Sequence, residues 1–583
     1  MQPGQAGGGA KNSSALKRFG PIIGLVAAVG IGIGALVISG GDDDKAASPT
    51  TPITSPPSTP ETTPGGTSPV STPAEITYPL SFTNAKDAGI DLDWGDRCDT
   101  NTGRVAVPDF FAAECFAPFN GDNGGATAQG VTADEITIVF YQGQTGDPII
   151  AYITDAIQVK DTNAQQAETM QNMVAYFESH YETYGRKVKL VPFEGTGNAL
   201  DEVQARADAL KIAEEIKPFM VWGGPALTSA FADELAAHQI GCISCTPGQP
   251  ADFYTKNDPY VFGIVSSAAQ SQVHILEVIS KQLVGKNATH AGDEFVNTPR
   301  KFGLLYIESS KAAKDLADNF EKGMADAGAP LAERVAYQLD PGSLQTQASQ
   351  AIAKFKAAGV TTVVFSGDPV APREFTKEAT AQGYSPEWYI GNSALVDLNA
   401  FARTYDQDQW KHAFGYTYLA GRVSPEISGY YALYKWYTGT EPPAKDTIGI
   451  FAPYPAVFYA VLQGVGPNLT SQSWRDALFS NPPTTSAISQ PSLSWGDSHK
   501  IWPDTDYQGI DDATLIWWDP TASGPDEIRK QGQGMYQFVD GGKRYLPGEY
   551  PTEDKFFNPD GAITIYTVPP PGEAPPTYPS PAG

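Results

Sequence analysis

The residues best placed to do chemistry lie in the run Phe219-Met-Val-Trp-Gly-Gly-Pro-Ala-Leu-Thr-Ser229. Residues 219–222 read as a buried strand and Gly223-Gly224-Pro225 as a break. Residues 227–238 then read as a helix, with Leu227, Ala230, Phe231 and Leu235 on one face. A parallel strand that empties through glycines into a helix start leaves free backbone N–H groups beside Thr228 and Ser229, which suits a bound carboxylate. An ordinary strand–helix turn has the same pattern. What sets this one apart is that the arrangement recurs along the chain in two blocks.

Other candidates are weaker. His180, His238, His274, His290, His412 and His499 are scattered, with no metal-ligand spacing between any two. There is no Walker A loop, no H-E-x-x-H and no G-x-S-x-G. Asp497-Ser498-His499 holds triad residue types, but adjacency along the chain is not triad geometry. Cys242-Ile-Ser-Cys245 has redox spacing. It lies in a strand, however, and lacks the helix start that lowers a thiol pKa, so a structural disulfide or two buried thiols fits better. Asp91-Leu-Asp93 with Asp96, and Asp504-Thr-Asp506 with Gly509 and Asp511-Asp512, hint at calcium loops. Both lack the glutamate an EF-hand needs and read as solvated turns. The expectation is therefore a protein that is not an enzyme and holds no metal or cofactor.

The elements that must position the 219–229 stretch alternate regularly. Strands read at 136–141, 188–192, 219–222 and 240–244, with helices at 163–184, 201–216 and 227–238 between them. Met170, Met173, Val174, Phe177 and Tyr181 share one helix face and read as core. After 260–265 the alternation restarts, with helices at 268–284, 311–327, 346–358 and 373–382 and strands at 302–307, 334–339, 361–365 and 388–390. Two βαβ blocks of similar length predict two parallel-sheet lobes, with a hinge near 260–267. Residues 395–479 are more helical (426–437, 455–465, 473–479). Residues 480–568 mix loops with short strands at 515–518 and 562–568.

Composition narrows the partners. Lys and Arg number 39 against 66 Asp and Glu, a net charge of −27 with no offsetting basic patch, so nucleic acid is not an expected partner. Cys98, Cys115, Cys242 and Cys245 fall into two pairs by sequence, which suits an oxidising compartment. Residues 21–40 are uncharged and about the ~20 residues that span a bilayer. Lys11, Lys17 and Arg18 precede them and Asp42, Asp43 and Asp44 follow, so an uncleaved anchor would leave the N-terminus cytoplasmic and the rest outside. A cleaved signal peptide is the competing reading, in which the chain is secreted. Residues 41–77 are a Pro/Ser/Thr tether with a reach on the order of 100 Å.

Five stretches carry a family resemblance. They are Gly130-Val-Thr-Ala-Asp-Glu-Ile-Thr-Ile138, Gly223-Gly224-Pro225, Ile240-Gly-Cys-Ile-Ser-Cys-Thr-Pro247, Pro259-Tyr-Val-Phe262, and Val363-Val-Phe-Ser-Gly-Asp-Pro369 with Phe375, Ala379 and Gly383. In order and spacing they resemble the type I periplasmic-binding-protein family, and more narrowly the branched-chain amino acid (Leu/Ile/Val) binding proteins of ABC transporters. The lead-in through Cys98, Cys115 and 121–132 is similar to large secreted actinobacterial versions.

The resemblance implies an α/β clamp of two lobes, three hinge crossings and a small-molecule ligand held in the cleft for an ABC permease in the membrane. A membrane-anchored cell-surface sensor or structural protein using the same clamp without transport is the alternative. By position, the ligand-binding candidates in lobe one are Gln142, Thr145, Trp222, Gly224, Thr228, Ser229 and Thr246. Those in lobe two are Tyr306, Glu308, Ser309, Ser366 and Asp368, with Asn392 and Tyr416 near the rim or crossover. Trp222 and Tyr306 would supply apolar walls, and Asp368 or Glu308 would face a cation. Amino-acid binders of the family place a serine after the glycines and an Ala-x-Thr/Ser loop after the next strand. Here those places hold Pro225-Ala226-Leu227 and Cys245-Thr246-Pro247-Gly248, so a different small molecule, or a clamp without one, stays open.

The chain then divides into a cytoplasmic N-terminus (1–20), the anchor or signal (21–40), the disordered linker (41–77) and an irregular lead-in (78–130). Lobe one (131–262) and lobe two (263–393) follow. A return to lobe one through a crossover (394–480), a C-terminal extension packing on the lobes (481–568) and a disordered tail (569–583) complete it.

Overall fold

The apolar strands sort into two sheets. The computed structural model describes residues 76–583 apart from 226, 247, 392–394 and 498–499. The anchor, nearly all of the linker, Asn392 and the Ser498-His499 pair therefore lie outside the described residues. In the first lobe, β1 (Glu135–Gln142), β2 (Lys187–Glu194), β3 (Met220–Trp222), β4 (Gly241–Ile243) and β5 (Val261–Phe262) form a parallel sheet in the order β2-β1-β3-β4-β5. In the second, β6 (Phe302–Ile307), β7 (Glu333–Tyr337), β8 (Thr362–Ser366), β9 (Glu387–Ile390) and β10 (Ala413–Thr417) repeat that order as β7-β6-β8-β9-β10. An antiparallel pair, β11 (Thr514–Pro525) and β12 (Gln531–Phe538), extends this sheet beyond β10. The inner strands are apolar on both faces because helices cover both. The edge strand β2 alternates in exposure.

Helix ends follow local chemistry. Thr162 and Gln165 form a capping box for Asn163–His180, whose buried face carries Met170, Met173, Val174 and Phe177. The helix stops at His180, short of the expected 184, because Tyr181 is already extended. The helix expected over 201–216 ends in a π turn at Ile212–Ile216, and that expected over 268–284 ends in one at Ile279–Leu283. No strand forms over 562–568; Ile563 makes only a bridge to Phe538.

The chain crosses between lobes at 263–267, at 418–429 and again on the way into β11. The first and third crossings run together: Gly263 N donates to the Tyr507 carbonyl at 2.8 Å and Ile510 N to the Ile264 carbonyl at 2.9 Å. Between the second and third, helices Tyr430–Thr438 and Pro453–Val465 pack back on Asn163–His180 of lobe one. There the Phe177 and Tyr459 rings stack at 5.3 Å. Among the described residues, Ile448–Val465 is long and apolar enough to cross a membrane, but 72% of it is buried inside this lobe, as a core helix is.

Both cysteine pairs are disulfides, Cys98–Cys115 in the lead-in and Cys242–Cys245 at the end of β4. The expectation of a disordered tail is corrected. Residues 569–583 run back over the crossings, because aromatic and carboxylate side chains fix them. The Glu573 carboxylate accepts from Ile488 N (2.8 Å), Ser489 N (3.1 Å) and the Ser489 hydroxyl. Tyr578 donates to Asp99 Oδ2 (2.9 Å), and the Ser580 hydroxyl to the Trp436 carbonyl (2.5 Å).

Candidate functional site

In lobe one the loops after β3 and β4 are pressed together. A Cβ at Gly224 would stand 2.6 Å from the Cys245 carbonyl oxygen, so this close approach requires glycine. Trp222, at the end of β3, is fully buried against Phe458, with ring centroids 5.4 Å apart and its indole N–H without a partner. Thr228 and Ser229 are buried where helix Ala230–Ala237 begins, and Thr228 Oγ1 already accepts from Ala230 N at 3.1 Å. Thr246, also buried, accepts from Gln249 Nε2 at 3.1 Å. Gly224 thus joins the loop that carries Thr228 and Ser229 to the one that carries Thr246, while Trp222 lies in the core behind them. Gln142 lies apart, its Nε2 donating to the Asn163 carbonyl at 2.6 Å, and Thr145 is exposed, its N–H on Glu194 Oε1 at 2.7 Å.

In lobe two, Tyr306 and Ser366 line a cavity of about 460 Å³ between the ends of β6 and β8 and the helices Ala268–Val278 and Lys311–Asp326. Its walls are Leu304, Ile307, Val364 and Phe320, with Gln272 as a polar group. The Tyr306 hydroxyl donates to the Glu308 carboxylate and accepts from Arg334 Nη2 at 3.1 Å, under a guanidinium stacked 4.7 Å from the ring. Arg334 in turn pairs with Asp318 (2.5 Å) and Glu321 (2.9 Å), so Glu308 belongs to a network at the lobe's outer edge. Ser309 follows it, half-buried, before helix Lys311–Asp326.

The Asp368 carboxylate does not face a free cation. Its Oδ2 accepts from the Tyr337 hydroxyl at 2.6 Å and its Oδ1 from Val370 N and Ala371 N at 2.8 and 2.9 Å. Burial raises its pKa above the usual carboxylate value. Tyr416, one residue before the end of β10, turns to helix Ala268–Val278, donating to Ser271 Oγ at 3.2 Å and stacking on His274.

The lobes meet through a helix that the sequence pattern does not reveal, Pro148–Ile157. Asp147 caps it by accepting from Ile149 N at 2.8 Å, and Pro148 stands at its first position. It leaves the end of β1, packs on Asn399–Ala402 of lobe two, and sets Tyr152 in the field of Arg373, Asp368 and Glu374. Burial raises the Tyr152 pKa and Arg373 opposes that shift. The loops after β1 and β8 therefore face each other across the interlobe gap. The Asp147–Pro148 pair was the available signal, and the short, mainly apolar run that follows does not by itself distinguish helix from strand. Among the described residues no cluster of three or more His, Cys, Asp or Glu is arranged to hold a metal ion.

The chain is similar to several known proteins. Solved structures similar to this chain include an ABC transporter solute-binding protein from R. palustris in complex with 4-hydroxybenzoate (14% identity, 69% of this chain and 97% of that one, TM-score 0.47). Another is the branched-chain amino acid transporter substrate-binding protein from Streptococcus pneumoniae in complex with isoleucine (16% identity, 70% and 100%, TM-score 0.45). A third is a leucine-, isoleucine-, valine-, threonine- and alanine-binding protein from Brucella ovis in its closed conformation (13% identity, 75% and 100%, TM-score 0.48). No curated protein matches the chain. The family model described as periplasmic binding protein matches residues 158–504, more than half of the sequence and most of both lobes. With its two like-ordered parallel sheets and crossings between them, the chain belongs to the periplasmic binding protein family.

Proposed function

We propose that this protein is an extracytoplasmic solute-binding protein that captures a small polar or amphipathic molecule, amino acid-like, an amide or an aromatic acid, between its lobes and delivers it to an ABC permease. Family membership over both lobes carries this reading. In it, the N–H groups and hydroxyls at Thr228, Ser229 and Thr246 hold the polar end of the ligand, with Ser366 opposite, and no bond is made or broken. Helix Pro148–Ile157 closes the mouth of the gap by docking on lobe two. Residues 21–40 tether the domain to the membrane and 41–77 hold it at a distance from the bilayer.

The uncharged segment 21–40, flanked by Lys17 and Arg18 and by Asp42–Asp44, favours a second reading: a membrane-anchored sensor that uses the same capture without transport. Thermal unfolding of the full chain against amino acids, amides, aromatic acids and short peptides tests capture itself. A ligand at 100 times its Kd stabilises by ~2.7 kcal/mol. A raised midpoint with one chemical class, reduced by Thr228→Ala, supports capture; no shift with any class contradicts it.

A further inference from the structure

Where the first and third crossings run side by side, a partly open cavity lies between them. Both lobes wall it. Gln249 and Tyr254 come from the segment after β4, Gln270 and Val273 from the first helix of lobe two, and Trp502 and Gln508 from the third crossing. None of the residues assigned to the interlobe gap lines it.

Two buried amides give this cavity its chemistry. Gln249 is 2% exposed, and with its Nε2 spent on Thr246 its Oε1 has no donor. Gln508 is 3% exposed, and neither end of its amide makes a well-formed hydrogen bond, although it lies beside the Tyr254 hydroxyl. The amide packs closely on Gly263, where a Cβ would stand 1.9 Å from Gln508 Oε1. Buried polar atoms left unpaired are costly, so these atoms are open to a partner.

The floor is acidic. Asp506 Oδ1 accepts from Gln270 Nε2 and Gln508 N, both at 2.9 Å. Burial, with the Asp511 carboxyl nearby, raises the Asp506 pKa. Trp502 donates from Nε1 to Asp511 Oδ1 at 2.9 Å, which fixes its ring as one apolar wall; Val273, 44% exposed, supplies another.

We propose that this hinge cavity is a second ligand site, for a small molecule carrying a primary amide on a flat apolar body. An amide presents a donor and an acceptor side by side, the complement of the Gln508 amide, and its second N–H reaches Gln249 Oε1. Among the described residues no basic side chain lines the cavity, and Asp504 stands exposed at its rim, which disfavours a carboxylate. Because the walls belong to both lobes, occupancy is linked to the lobe angle, and through it to the interlobe gap.

Titration calorimetry of the full chain with benzamide tests the site. The expected result is one saturable event, weakened at least tenfold by Gln508→Leu and by Gln249→Leu, with no such event for benzoate. Absence of saturable heat, as in a cavity that holds only water, overturns the proposal. So does equal affinity in both leucine variants, or loss in Ser366→Ala in their place, which puts the molecule in the gap. Should a leucine variant lower the thermal midpoint, Ala269→Phe replaces it. That substitution fills the cavity from an exposed helix position and abolishes binding if the site is real.

Discussion

At the scale of single residues, the site region depends on groups that have no freedom to change. A Cβ at Gly367 would lie 2.0 Å from the Tyr337 hydroxyl, the group that donates to Asp368 and so fixes the turn after β8. Gly367→Ala is expected to cost about 1–3 kcal/mol in chemical denaturation, the range of an overpacked core. Adding Tyr337→Phe removes the clashing oxygen and recovers part of that loss. Asp397 gives a pH signature. Fully buried, with Thr417 donating to it and Glu527 nearby, its carboxyl is pushed up to about 7 by burial. A carboxyl raised above its unfolded value of 3.8 contributes stability that is whole below that value and is lost as pH rises through about 7. Asp397→Asn should therefore flatten the fall in thermal midpoint between about pH 4 and 7 relative to the parent chain.

At the scale of elements, what the sequence made legible was whatever local pattern decides. The runs ending at Trp222, Ile307 and Ser366 are apolar on every residue that must be buried, and the glycines after Trp222 and Ser366 mark where the sheet stops. Helix Pro148–Ile157 was not legible, because an apolar run takes its form from the surface it docks on, here Asn399–Ala402. Asp147 holds it twice over, capping it and accepting from Ala199 N at 2.7 Å. Asp147→Ala should cost about 1–2 kcal/mol and speed amide exchange across 148–157 while leaving the sheets protected. The site was read in the same partial way. Thr228, Ser229 and Thr246 follow from strand ends, but the partners that occupy Asp368 and Tyr306 come from β7, distant in the chain.

At the scale of the molecule, the C-terminal tail is the largest departure from what composition suggests. Pro-rich segments lack the apolar surface to fold alone, yet this one is fixed by a few side chains: Glu573 on the third crossing, Tyr578 on the lead-in and Ser580 on Trp436. It joins the extension to lobe one across the hinge. Glu573→Ala, which leaves three donors at 488–489 unanswered, should cost about 2–4 kcal/mol and lower the thermal midpoint by several degrees.

The central claim is that the lobes close on a small molecule, and an interlobe distance tests it most directly. Spin labels on cysteines replacing the exposed Lys189 of lobe one and Lys354 of lobe two report that distance. With a saturating mixture of amino acids, aryl amides and aromatic acids, the account predicts collapse to one narrower, shorter distribution, abolished by Thr228→Ala. A distribution unchanged by the mixture would contradict it.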